Sequence, residues 1–192
     1  MQGVSASGKT YLLKEILYTF LKGEFDEIFL ICPTWQDQEI YRKMGIRKEN
    51  KFITSTNETF DKIMEKCKNN KKENKKSLII LDDFLYTELS KNSGSLAENI
   101  STIRHKNTSI IVLSQYYKAL PPVVRTNMDK VVSFRNDSET QINIMKEDYG
   151  DSWKNAYEDY TKEKYGYVCS DFCKSIYDGR HSNEITNEFF SK

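Results

Sequence analysis

Apolar positions along the chain follow two different periods. Leu12, Leu13, Ile16, Leu17, Phe20 and Leu21 recur at helical spacing, which predicts a helix over residues 9–22 that stops at Gly23. Short unbroken apolar runs predict buried strands at 27–32, ending at Pro33, and at 77–81, ending in Asp82 and Asp83. A third run at 109–114 is followed by Gln115, and a fourth lies at 130–134. Between them, Phe60, Ile63, Met64 and Cys67 share one face of a helix over 58–67, and a polar helix is expected at about 94–104. The Pro121-Pro122 pair is expected to break any helix there. Two helical stretches near 138–148 and 151–163 precede a C-terminal hairpin of residues 165–169 and 174–178. Strands that alternate with helices predict an α/β sandwich with a mostly parallel sheet.

Length and composition narrow the class. A chain of 192 residues predicts a single domain over 1–192, with a core at 1–135 and C-terminal helices and hairpin at 136–192. The 29 Lys and Arg against 28 Asp and Glu leave a net charge of +1, which excludes a globally basic nucleic-acid binder; any such contact must use a local patch. Aromatic content of 12% argues against disorder. No apolar run approaches the roughly 18 residues of a membrane span, and no signal-peptide pattern opens the chain, so a soluble protein in a reducing compartment is expected. Of the four cysteines, Cys32, Cys67, Cys169 and Cys173, only the last two are close. With His105 and His181 unpaired in spacing, they read as buried or free thiols rather than zinc ligands. The 23 Lys, 6 Arg and 14 Asn point to an AT-rich coding genome.

Candidate chemistry begins at the N-terminus. Gly3-Val4-Ser5-Ala6-Ser7-Gly8-Lys9-Thr10 fits G-x-x-x-x-G-K-T. Small residues there let successive N–H groups curl around phosphate oxygens, and Gly8 allows close approach. Lys9 brings a positive charge to the β- and γ-phosphates, Thr10 offers a hydroxyl to Mg²⁺, and the following helix aims its positive end at the same anion. Such a loop normally follows a buried strand, yet only Met1 and Gln2 precede Gly3. The first strand is therefore expected to be missing and the natural chain to begin upstream.

The run Leu78-Ile79-Ile80-Leu81 delivers Asp82 and Asp83 at the strand end where ligands of α/β sheets bind. Asp82 would hold Mg²⁺ through water, and Asp83 would orient or deprotonate an attacking water. An Asp pair alone equally suits a turn; the phosphate loop about 70 residues upstream makes it a metal site. Gln115 either senses the γ-phosphate or is simply a polar residue leaving the sheet. Arg104 and Arg125 flank the same strand and are either surface arginines or charges that neutralise a transferring phosphoryl group.

Two further features carry weaker signals. Lys66, Lys68, Lys71, Lys72, Lys75 and Lys76 form a basic connector over 66–76, which is either solvated or a non-specific contact with a DNA backbone. Tyr149, Trp153, Tyr157 and Tyr160 fall at helical spacing, and core packing accounts for them better than base stacking.

Taken in order, the Gly3–Thr10 loop, Ile28–Cys32 leading into Pro33-Thr34, Leu78–Asp83, Arg104-His105, Ile110–Gln115, Arg125-Thr126-Asn127 and the terminal hairpin resemble a known group. They are similar to the genome-packaging ATPases of large DNA viruses and virophages, the poxvirus-type branch of the FtsK–HerA superfamily of P-loop NTPases. The resemblance implies an ASCE-type three-layer core and ATP hydrolysis with Mg²⁺. It also implies a homo-oligomeric ring that translocates double-stranded DNA into a capsid through a portal-like vertex. It places such a protein in the host cytoplasm, in a viral factory, or with the virion. It further implies an arginine finger from the next subunit, Arg125 ahead of Arg104. Asp83 stands where the wider superfamily usually has Glu, and the viral branch also uses Asp there.

Two other functions compete. A nucleotide or small-molecule kinase shares the phosphate loop, but such enzymes usually carry an arginine-rich lid, and the six arginines here do not cluster. A truncated P-loop fold could also serve as a non-catalytic assembly subunit, a reading that the short N-terminus favours.

Overall fold

The apolar run at 77–82 becomes the fully buried strand β3, Ser77–Asp82, and organises one sheet. In the computed structural model, which describes residues 1–171 and 176–178, β3 lies beside β1, Glu27–Ile31, and β4, Thr108–Leu113. A two-residue strand β2, Lys51–Phe52, adds to the free side of β1. All neighbours in the order β2-β1-β3-β4 run parallel, with Leu30 opposite Ile80 and Ile80 opposite Ile111. Strands covered on both faces read as near-continuous apolar runs, and β3 is that case. The expected α/β class with a mostly parallel sheet is present.

Contacts gather the described residues into two compact units: Met1–Phe20, Gln115–Lys118 and those from Met128 on in one, Leu21–Ser114 and Ala119–Asn127 in the other. The parallel sheet belongs to the second. Its longest helix, α3 after the short α2 (Glu39–Arg42), spans Asn57–Lys72. Thr56 caps it by accepting from the Thr59 N–H at 3.2 Å. Phe60, Ile63, Met64 and Cys67 are buried, as their spacing predicts.

The lysine run is not the connector expected over 66–76. Lysine is a good helix former and suits the C-terminal end of the helix dipole, so α3 continues through Lys72 and ends in a turn with Asn74 left-handed. Asn70 then ties the helix to the sheet, donating to Glu27 at 2.7 Å and Ser77 at 2.9 Å. Burial pulls the Glu27 carboxyl upward, but donation from Asn70 and Asn50, with Lys66 and Arg47 nearby, outweighs it and holds the group below its ordinary value.

Two other expectations shift. The polar segment 94–104 forms a short helix α4, Ser95–Asn99, then a tighter 3₁₀ stretch to Lys106. The proline pair does not break a helix; Pro122 starts one, α5 (Pro122–Thr126), at the first position, where its missing N–H costs nothing.

The first unit opens on α1, Lys9–Glu15, which continues as a π-helical turn over Ile16–Phe20. It also holds an antiparallel sheet of β5 (Lys130–Phe134), β6 (Tyr167–Asp171) and β7 (Ile176–Asp178). The terminal hairpin is therefore present, two residues later than expected at its start; residues 174 and 175 lie outside the described residues. Helices α6 (Glu139–Tyr149) and α7 (Asp151–Tyr160) pack together. Trp153 and Tyr157 are buried and stacked, with ring centroids 4.8 Å apart, which fulfils the core reading of that aromatic series. The Tyr157 hydroxyl accepts from the Asn136 N–H and donates to the Phe134 carbonyl, fixing α7 to the end of β5.

Cys32, Cys67 and Cys169 are buried thiols; Cys173 and His181 lie outside the described residues. Burial pushes the Cys32 thiol up to about 11 and Cys169 to about 12, and raises Cys67 as well. At pH 8 these three thiols are expected to resist iodoacetamide in the folded protein and to react after urea unfolding, as read by site-resolved mass spectrometry. Ile63→Ala is expected to lower stability by about 2–5 kcal/mol in urea titrations, because it opens a cavity under α3.

Candidate functional site

The phosphate-loop sequence is anchored to β5 by its backbone. Gln2 forms a single parallel bridge to Ser133: its N–H donates to the Val132 carbonyl at 2.8 Å, and its own carbonyl accepts from the Phe134 N–H at 2.8 Å. The Val4 N–H continues the contact to the Arg135 carbonyl at 3.3 Å. Gly3 passes so close to β5 that a Cβ there would lie 2.6 Å from Phe134 Cβ and 2.9 Å from Ser7 Oγ. No side chain fits at that position.

Beyond this anchor the chain curls. Ala6 has φ 59° and Gly8 has φ 100°, so two of three successive residues turn the backbone left-handed before α1 begins. Alternation of this kind makes a concave nest that suits an anion. Lys9 is almost fully buried and lies back across the curl, its ammonium donating to the Gly3 carbonyl at 2.7 Å and the Val4 carbonyl at 2.8 Å. Ser7 Oγ accepts from it at 3.4 Å. Thr10, half-buried, follows on the first turn of α1.

A cavity of about 710 Å³ opens beside the loop, lined by residues 6–12 and Glu15 and walled by Phe134, Tyr165 and Tyr167. That volume is of the size that small-molecule sites use. The loop, Lys9 and the cavity wall all belong to the first unit.

The acidic pair sits in the second unit, where β3 sends its two carboxylates in different directions. Asp82, the last residue of the strand, is 8% exposed, and the Tyr41 hydroxyl donates to its Oδ2 at 2.5 Å. Asp83 is exposed and left-handed, φ 54°, a conformation that Asp tolerates better than most residues. At the neighbouring end of β1, Gln38 donates to Thr34 Oγ1 at 2.8 Å and Thr34 meets the Cys32 thiol at 3.6 Å. Burial is the main reason that thiol stays protonated, and the Asp82 charge adds to it.

Gln115 stands two residues past β4, half-buried, with its carbonyl accepting from Asn136 at 3.3 Å in the first unit. Arg104 is exposed in the 3₁₀ segment before β4, and Arg125 is half-buried on the last turn of α5. Among the described residues no three His, Cys, Asp or Glu side chains gather as a metal cage. A magnesium ion that keeps its waters asks less than that, and a buried carboxylate such as Asp82 is a donor it accepts. Among the described residues no helix is long and apolar enough to cross a membrane.

Sequence reasoning missed Tyr41 and Tyr165. Tyr41 lies on the four-residue helix α2, too short to show a period, and nothing local marks it as the partner of a residue 41 positions on. Tyr165 was expected to open the hairpin strand. It stands instead in the turn before β6 with φ 67°, and the signal was the Gly166 beside it.

Comparison with known proteins gives this arrangement a family. DNA packaging protein OPG160 of Variola virus is 32% identical over 159 residues, which are 76% of this chain and 56% of that protein. The Monkeypox virus protein of the same name is 32% identical over 161 residues, 76% of this chain and 51% of its own length. The chain thus spans about half the length of these relatives. Among solved structures, the DNA-packaging ATPase B204 from Sulfolobus Turreted Icosahedral Virus superposes with a TM-score of 0.74 at 18% identity, covering 93% of this chain and 94% of that one. The genome packaging NTPase B204 from Sulfolobus turreted icosahedral virus 2, in complex with AMPPCP, gives 0.74 at 17% over 93% and 94%. At such identity these two share a fold with this chain. Residues 1–150 match the family described as poxvirus A32 protein, and the chain belongs to that family.

Proposed function

We propose that this chain is an ATP-hydrolysing motor that moves double-stranded DNA into a viral capsid. The observation that carries the reading is the curled Gly3–Gly8 loop with the Lys9 ammonium drawn over it and a cavity alongside. The names of the OPG160 relatives and the nucleotide analogue bound by a B204 neighbour support it.

Each residue then has a role. Amides of Gly3 and of Ser5 through Gly8 receive the phosphates, and Lys9 leaves the loop carbonyls to meet the β- and γ-phosphate oxygens. Thr10 and Asp82 would each offer an oxygen to Mg²⁺, which would supply charge neutralisation for phosphoryl transfer. The hydrogen bond from Tyr41 fixes the rotamer of Asp82, so Tyr41 is a positioning residue. Asp83, exposed beside its buried neighbour, orients the attacking water, and Gln115 responds to the γ-phosphate. In a homo-oligomeric ring, Arg125 or Arg104 of one subunit completes the site of the next. The capsid vertex is the partner, and the setting is the infected cytoplasm or the virion.

Purified protein is expected to hydrolyse ATP with Mg²⁺, faster with double-stranded DNA, and Lys9→Ala to abolish turnover; equal turnover in that variant would remove the assignment. Asp82→Asn is expected to stop hydrolysis while ATP binding persists, measured by equilibrium binding beside steady-state rates. Tyr41→Phe is expected to lower kcat by about tenfold and to raise the Mg²⁺ needed for half-maximal rate, with the KM for ATP little changed. An unaltered Mg²⁺ titration would assign Tyr41 a packing role only.

A further inference from the structure

The cavity beside the phosphate loop has a wall that phosphate recognition does not use. Tyr165 stands on it, 56% exposed although it is an aromatic residue, in a chain that buries Phe134 and Tyr167 nearby. Its ring leans on the loop itself: a Cβ built at Gly8 would lie 3.4 Å from Tyr165 Cδ1 and 3.6 Å from Phe134 Cε1. The Lys164 ammonium lies 5.0 Å from the ring centroid, a cation–π contact that steadies the ring's orientation.

The turn that presents this ring is fixed. Tyr165 is held at φ 67°, a left-handed conformation that costs a bulky residue energy and persists only where its surroundings impose it. Gly166 imposes it. Its N–H donates to the Glu163 carbonyl at 3.0 Å, and a Cβ there would fall 1.9 Å from the Tyr160 carbonyl oxygen. The end of α7 is thus packed directly against the turn. An exposed ring on a strained, tightly packed turn, at the edge of a cavity, is a preorganised platform.

Resting on the nucleotide reading above, we propose that Tyr165 is the stacking platform for the base of the bound nucleoside triphosphate. A triphosphate gripped by the Lys9 loop must send its nucleoside into adjoining space, and the 710 Å³ cavity has room for a ribose and a purine. Aromatic rings stack on the face of any base, with more overlap for a purine than for a pyrimidine. Tyr165 therefore sets affinity for the nucleoside part, while Lys9 sets affinity for the polyphosphate.

The two contributions separate with inorganic triphosphate, which has the phosphates and no base. Binding of ATP and of inorganic triphosphate is measured by calorimetry on the full chain and on Tyr165→Ala, Tyr165→Phe and Lys9→Ala. Tyr165→Ala is expected to weaken ATP by about tenfold or more and leave inorganic triphosphate unchanged. Tyr165→Phe, which keeps the ring, is expected to bind both as the parent does, and Lys9→Ala to lose both. ATP affinity unchanged in Tyr165→Ala overturns the proposal, as does an equal loss for ATP and inorganic triphosphate, which would mean that Tyr165 only props Gly8. If the parent chain binds neither compound, or Lys9→Ala binds both normally, the phosphate-loop reading itself fails and the platform falls with it.

Discussion

The contact between Gly3 and Phe134 is the constraint on which the curled Gly3–Gly8 loop depends. Two backbone hydrogen bonds hold Gln2 to β5, and the absence of a side chain at Gly3 lets the loop start in van der Waals contact with that strand. A loop that must present amides to a phosphate needs a fixed origin, because each amide's direction is set by the dihedral angles before it. Here the origin is a short parallel bridge, and the left-handed turns at Ala6 and Gly8 do the rest. Lys9 follows from the same geometry: its ammonium sits against the Gly3 and Val4 carbonyls because the curl brings them within reach.

The end of β3 solves a different problem. A buried carboxylate costs free energy unless it is hydrogen-bonded, and Asp82 meets that cost through the Tyr41 hydroxyl. Asp83, one residue later, faces solvent. Adjacent aspartates thus stand in opposite environments, one buried and hydrogen-bonded, the other exposed. The Cys32 thiol, kept protonated by burial and by the Asp82 charge, adds no competing negative charge at that strand end.

How far the sequence revealed all this depends on the range of the interaction that forms each part. β1, β3, β4 and β5 were legible because a doubly covered strand must be apolar throughout, and their observed limits differ from the expected ones by a residue or less. The phosphate loop was legible because its chemistry needs glycine and lysine at fixed spacing. The end of α3 was not: the lysine run reads as a basic connector, either solvated or against a DNA backbone, although propensity and dipole both favour helix, and Asn70's bond to Glu27 joins residues 43 apart in sequence. β2 has two residues and α2 four, too few to show a period, and both depend on neighbours for their existence. Tyr41 and Tyr165 were invisible for the same reason, since each matters through a contact that only folding creates.

Phe134 joins the two ends of this reasoning. Its backbone N–H closes the bridge to Gln2, its Cβ limits position 3 to glycine, and its ring lies beside Gly8 and lines the cavity. The same ring packs at 5.3 Å from Tyr167, the first residue of β6, immediately after the Tyr165-Gly166 turn. A single strand end therefore positions the phosphate loop through its backbone and the cavity wall through its side chain. Because both are referred to one residue, the spacing between the Gly3–Gly8 loop and Tyr165 is set by packing at the ends of β5 and β6. That is the condition under which the proposed nucleotide would be gripped along its length, polyphosphate at one end and base at the other, instead of by its charge alone.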